Sequence, residues 1–201
     1  MPTVHLDALD GLSFILQIDG TISGVGSPRW DNFARSNAAP ELAANRVLGR
    51  NLYEFISGDE VKQHLQTFLH QLSSMQRSSL VVPFRCDAPN IQRNMRQAIT
   101  PIMKGDVCQG FLFQSVDLDH RQRPPLDIFD FKAIAAKVSQ NSNLPIVTMC
   151  SWCQRLLNSS VNGDVWLEAE AYYAAGGSSQ VQISHGLCSD CKSIAYDRNS
   201  G

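Results

Sequence analysis

The chain has 201 residues, of which 43% are hydrophobic, 18% charged and 8% aromatic, with a formal net charge of −2. That length allows one domain or two, since domains commonly run to about 100–150 residues, and the hydrophobic share excludes an intrinsically disordered chain. No apolar run approaches the roughly 20 residues that span a bilayer, the opening MPTVHLDALDG lacks the basic and apolar stretches of a secretory signal, and the near-neutral balance argues against a protein that binds nucleic acid by neutralising phosphates.

Residues 13–19 (SFILQID) are apolar and rich in β formers, Gly20 marks a turn, and 21–25 continue as a second strand. Trp30-Asp31-Asn32-Phe33-Ala34 reads as a short helix. Gly49-Arg50-Asn51-Leu52 reads as a turn into another brief helix that ends at Gly58. From Asp59, a good cap, the pattern is helical, with Val61, Leu65, Phe68, Leu69, Leu72 and Met75 on one apolar stripe. Three strands follow. The first is Leu80–Arg85. The second covers 94–103, where Met95, Gln97 and Ile99 alternate with Arg96, Ala98 and Thr100. A Lys-Gly-Asp turn at 104–106 then makes a hairpin with 108–118. Pro124-Pro125 stop the last strand, and 127–140 read as a helix with Ile128, Phe131, Ile134, Ala135 and Val138 on one face. The expected class is α+β with an antiparallel sheet.

Six cysteines are present, and four form two CxxC pairs: Cys150 with Cys153, and Cys188 with Cys191, separated by 34 residues. Nothing in the sequence points to export, so a disulfide framework is the weaker reading. Two such knuckles can supply four thiolates to one tetrahedral zinc ion. An iron site of similar geometry and thiol redox chemistry are the alternatives. Size gives an independent reason for a metal. The stretch 144–196 is some fifty residues long and includes the polar tracts 158–163 and 176–180, so it buries too little apolar area to fold securely alone. Binding free energy then becomes folding free energy. His185, three residues before Cys188, is a fifth candidate, either as an alternative ligand or as a group supporting the ligands. A c-type haem would need histidine directly after a CxxC, where Gln154 and Lys192 stand instead.

The order and lengths of the elements over 12–120 resemble a PAS domain. The residues that carry the resemblance are Ile18-Asp19-Gly20, Asn32-Phe33-Ala34 and Leu48-Gly49-Arg50-Asn51-Leu52. A second resemblance lies in the tail. Leu144-Pro145-Ile146, Cys150-Ser151-Trp152-Cys153, Trp166, Tyr172 and Ser184-His185-Gly186-Leu187-Cys188-Ser189-Asp190-Cys191 are similar to a cysteine-rich module that follows sensor domains in some bacterial signalling proteins. That module resembles treble-clef or ribbon zinc folds. Ser189 stands where such modules often have proline.

Together these resemblances imply a PAS-like antiparallel five-stranded sheet with helices over 12–120, a linker helix over 121–143, and a small treble-clef or ribbon-like zinc module over 144–197. PAS domains hold small molecules or cofactors between sheet and helices and often dimerise. Helices leaving a PAS sheet form dimer contacts or relay its state, whereas the plainer alternative is packing on their own domain.

Other candidates are weighed against their environment. Some haem-binding PAS domains place an iron ligand on the long helix, which here carries His64 at the edge of the apolar stripe and His70 opposite it. Arg85 and Arg96, on neighbouring strands, can converge on a carboxylate or phosphate; the competing reading pairs Arg85 with Asp87. Cys86 and Cys108 are single and read as structural. No phosphate loop, nucleophile elbow or HExxH motif is present, so no enzyme is expected. From Ile146 onward three Lys and Arg residues face five Asp and Glu, which argues against a DNA-binding finger. The functional expectation is a cytoplasmic signal-sensing or regulatory homodimer. Its PAS domain would bind a small ligand or a protein partner, its zinc would be structural, and neither nucleic acid nor membrane would be involved. The alternatives are a haem- or other cofactor-dependent sensor, and a thiol redox switch acting through zinc release.

Overall fold

The computed structural model describes residues 6–160 and 163–197; Arg198, counted in the charge of the tail, and Val161 and Asn162 of its first polar tract lie outside them. Two compact units divide the chain. The first comprises residues up to Ile56 together with Lys62–Val82 and Met95–Asp117. The second comprises Ser57–Val61, Pro83–Asn94 and the chain from Leu118 onward.

The α+β class and the five-stranded antiparallel sheet expected from the sequence are present. Strands β1 (Leu12–Gln17) and β2 (Ile22–Val25) come first, followed by helices α1 (Ser27–Ser36), α2 (Ala44–Val47) and α3 (Asp59–Ser73). Strands β3 (Leu80–Arg85), β4 (Ile91–Lys104) and β5 (Val107–Gln122) complete the sheet, in the spatial order β2-β1-β5-β4-β3. The alternation of each strand buries one side of it: Leu80 and Val82 on β3, Met95 and Ile99 on β4, Phe111 and Phe113 on β5. On β1, Phe14 lies opposite Phe113 in the antiparallel register, and their rings stack with centroids 4.5 Å apart. From α3, Phe68, Leu69 and Leu72 are buried, and each such side chain contributes roughly 1.5–3 kcal/mol through the area it removes from water. The apolar stripe is one turn shorter than its spacing predicts. The helix ends at Ser73, and Met75 lies beyond it with a φ of 56° and 61% exposed.

Two of the motifs that carry the PAS resemblance form one knot. The carbonyl of Gly20, a residue at φ +88°, accepts from the Leu52 N–H at 2.8 Å. Asn51 Nδ2 donates to the Asp19 carbonyl at 3.0 Å, and the Ile22 N–H donates to the Arg50 carbonyl at 2.9 Å. Asn51 and Glu54 also close a reciprocal cap on the 3-10 turn Leu52–Phe55. Residues 28 to 32 positions apart are thus needed together, because each satisfies backbone groups that the other leaves open.

The sequence pattern assigns no elements within 144–197. The structure has four strands and two helices there among the described residues: β6 (Ile146–Cys150), β7 (Leu156–Ser160), β8 (Gly163–Leu167), α5 (Ala169–Ala174), β9 (Gln182–Gly186) and α6 (Ser189–Asp197). The sheet runs β8-β7-β6-β9, with β6 and β9 parallel and the other pairs antiparallel. Helix α4 (Phe131–Gln140) starts at Asp130, whose carboxylate accepts from the Ala133 N–H at 2.9 Å. Ile134, with Ile128 and Phe129 from the turn before it, joins Met149, Leu156, Tyr172 and Val181 in the core of the second unit. Segment 121–143 therefore supplies core to that unit. The buried set differs from the predicted face: Phe129 is buried, whereas Phe131 and Ala135 are exposed, because 127–129 forms a separate 3-10 turn ahead of the helix. Among the described residues no helix is long and apolar enough to cross a membrane.

Candidate metal centre

Four cysteines converge because β6 and β9 run side by side. Cys150 closes β6 opposite Gly186 at the end of β9, so the two chains leave the sheet together and each enters a tight turn. Cys153 lies in the turn that follows Cys150. Cys188 follows Gly186 by two residues, and Cys191 occupies the first turn of α6. Backbone bonds shape both knuckles. In the first, the Gln154 N–H donates to the Cys150 carbonyl at 2.9 Å, with Gln154 in the left-handed region at φ 58°. In the second, the Cys191 N–H donates to Cys188 Sγ at 3.4 Å, and the Cys188 N–H donates across to Cys150 Sγ at 3.4 Å.

All four sulfurs lie within 4.8 Å of one another, and Cys153 Sγ is 3.7 Å from Cys188 Sγ. A tetrahedral zinc ion with bonds of about 2.3 Å would set its sulfurs about 3.8 Å apart, so the cluster fits such an ion. None of the six cysteines is in a disulfide. Cys150, Cys188 and Cys191 are buried, Cys153 is half-buried, and Leu187, Trp152 and Trp166 pack around them.

The proton balance also fits a cation. The thiols of Cys153 and Cys191 donate to Cys150 and hold its pKa far below the ordinary thiol range, with the Cys153 and Cys188 N–H groups adding to the effect. Cys153 is pushed up to about 12 because its proton is shared with Cys150, and Cys191 is pushed up for the same reason. A soft divalent ion bound there would displace the thiol protons. Four protein donors would fill the shell of a tetrahedral ion, the arrangement that structural sites use.

No family model matches the chain, and no curated protein matches it. Among solved structures, it is similar to a C-terminal domain from Streptococcus mutans at 14% identity and a TM-score of 0.44, over 57% of this chain and 80% of that one. It is similar to the PAS domain of Bordetella pertussis BvgS at 12% identity and a TM-score of 0.43, over 67% and 91% of the two chains. A sensory box sensor histidine kinase from Vibrio cholerae is similar at 16% identity and a TM-score of 0.35, over 56% and 85%. The fold assignment rests on the strand order and register given above.

The other candidates stand elsewhere. His185 lies on β9 opposite Met149 and is half-buried, and burial lowers its pKa. The group of ligand atoms found among the described residues contains the four sulfurs without it. His64 is half-buried, its ring stacked against Phe68 one turn along α3 at 6.3 Å between centroids, and His70 is exposed. Arg96 is exposed on β4. Arg85 is held by Asp87 and Glu168. Cys86 and Cys108 are half-buried, and Cys108 Sγ donates to the Gly110 carbonyl at 3.3 Å.

Sequence reasoning missed the charged groups that tie the knuckles to their surroundings. Arg155, two residues after Cys153, reaches Glu168 at 3.1 Å and Asp190 at 2.7 Å, and Asp190 sits inside the second CxxC. These carboxylates, Asp190 foremost, raise the Arg155 pKa. The Asp87 side chain is fully buried; it pairs with Arg85 and with Arg123 at 3.0 Å and accepts from the Arg93 N–H at 3.1 Å. A basic residue just past one CxxC and an acidic one within the other were the available signals for the first of these links.

Proposed function

We propose that this chain is a non-catalytic sensory or regulatory protein of the cytoplasm, acting as a homodimer. Its PAS-like domain, 12–120, takes a small ligand or a protein partner, and segment 121–143 links it to a zinc module over 144–197. In that module Cys150, Cys153, Cys188 and Cys191 hold a structural zinc ion. The observation that carries the reading is the convergence of four sulfurs from two distant CxxC pairs within 4.8 Å. Zinc supplies a cross-link between those pairs when bound. The chain's own contribution is the parallel β6–β9 pairing that presents both knuckles, the N–H groups that donate to Cys150 and Cys188, and the packing of Trp152, Trp166 and Leu187 around the sulfurs. The five-stranded sheet with its inserted helices supports the sensory part of the reading.

Metal analysis and native mass spectrometry of the intact protein as isolated test it together. One zinc per chain and a dimeric mass are expected. A folded protein that holds no metal overturns the zinc assignment, and a monomer at micromolar concentration overturns the dimer.

A further inference from the structure

Two segments far from the cysteines in sequence, Ser57–Val61 and Pro83–Asn94, belong to the same compact unit as the cysteines. Each is gripped by a residue that neighbours a cysteine. Gly58 has a φ of +87°, and a Cβ built there would stand 2.5 Å from the backbone oxygen of His185, so nothing larger than glycine fits that approach. Two residues on, Glu60 pairs with Lys192 at 2.5 Å, and Lys192 directly follows Cys191. The first knuckle holds the other segment. The Trp152 carbonyl accepts from the Arg85 N–H at 2.6 Å, and Gln154 Oε1 accepts from the Asp87 N–H at 2.8 Å. Trp152 and Gln154 flank Cys153 on either side.

The atoms that grip are the backbone carbonyls of Trp152 and His185 and the side chains of Gln154 and Lys192, and their placement depends on the conformation of the knuckles and of the β9 end that leads into the second one. Without an ion the two knuckles lose their cross-link, so the turns open and their bonds go with them. Residues 59–61 are the first turn of α3, and Arg85 is the last residue of β3. We propose that the four-cysteine site is a clasp. Metal loading holds the start of α3 and the end of β3 in place, and metal loss releases both, so metal occupancy is a conformational input to these two elements. The proposal rests on the metal reading above. By thermodynamic reciprocity, whatever loosens the clasp weakens metal retention by the same factor.

Hydrogen exchange of the intact protein, read by mass spectrometry before and after zinc removal with a high-affinity chelator, tests the clasp. Peptides covering 57–61 and 83–94 are expected to exchange about tenfold faster or more after removal, while 12–17 is unchanged. In the zinc-loaded protein, Gly58→Ala should speed exchange at 57–61 with the zinc stoichiometry still at one. It should also lower zinc affinity about tenfold in competition with a chromophoric chelator. Lys192→Met keeps the backbone approach and should shift both readings in the same direction by less, which covers the case of a poorly folding Gly58→Ala. Zinc uptake with unchanged protection at 57–61 and 83–94 overturns the clasp alone. A chain that takes up no zinc overturns the metal reading, and the clasp with it.

Discussion

The two units of this chain have interiors of different composition. The first has a hydrophobic interior of large side chains: Leu16, Phe68, Leu72, Met95 and Ile99 are 2% exposed or less, and aromatic rings stack across neighbouring strands. The second has a smaller apolar core around Met149, Leu156 and Tyr172 and, apart from it, a cluster made of three buried cysteines and Leu187. In that cluster sulfur atoms stand where the first unit has methyl and phenyl groups. Apolar packing loses a few kcal/mol for each truncated side chain and tolerates the loss. With the proposed zinc as its cross-link, the cysteine cluster would hold nearly all its stability in one interaction.

Removing that interaction should give the largest effect. Cys188→Ser, or chelation of zinc, is expected to abolish the cooperative unfolding of the second unit while the first keeps its own transition. Urea denaturation followed by the fluorescence of Trp152 and Trp166 against that of Trp30 would show it. Survival of both transitions would erase the distinction between the units. Next comes Phe68→Ala, expected to cost the first unit about 3–5 kcal/mol and to leave zinc stoichiometry unchanged, as read by metal analysis.

Acid sharpens the contrast further. Burial lowers the folded pKa of His185 below its ordinary value of about 6.5. The contribution of its neutral form is therefore complete above that value and is lost as pH falls through the depressed folded pKa. His185→Gln should flatten the pH dependence of the second unit's urea midpoint below about pH 6.5 relative to the unaltered protein, and equal slopes would count against it. The smallest effect is expected from Arg155→Met. Its ion pairs with Glu168 and Asp190 are partly exposed and individually weak, so zinc release to a chelator should quicken only severalfold with folding retained.

How much of this was legible in the sequence depends on the distance over which each feature is decided. The hairpin at 104–106, the stripe of α3 and the two CxxC knuckles are local patterns, and the structure has all three. Spacing alone places Met75 in the stripe, since periodicity does not report where a helix stops. Arg85 was weighed both as an anion site and as a partner of Asp87; the buried Asp87 carboxylate, two residues away on the same stretch, takes it together with Glu168 from far along the chain.

Composition, alternation and cysteine spacing by themselves determined the α+β class, the strands of the large sheet and the two CxxC pairs, because each follows from side-chain chemistry within a few residues. Only the tertiary structure decided that β6 lies parallel to β9 and that 57–61 and 83–94 join the cysteine-bearing unit. It also decided that Gly58 meets the backbone of His185. Those features are pairings between segments separated by tens of residues, and their energy appears only once the chain has folded back to bring the partners together.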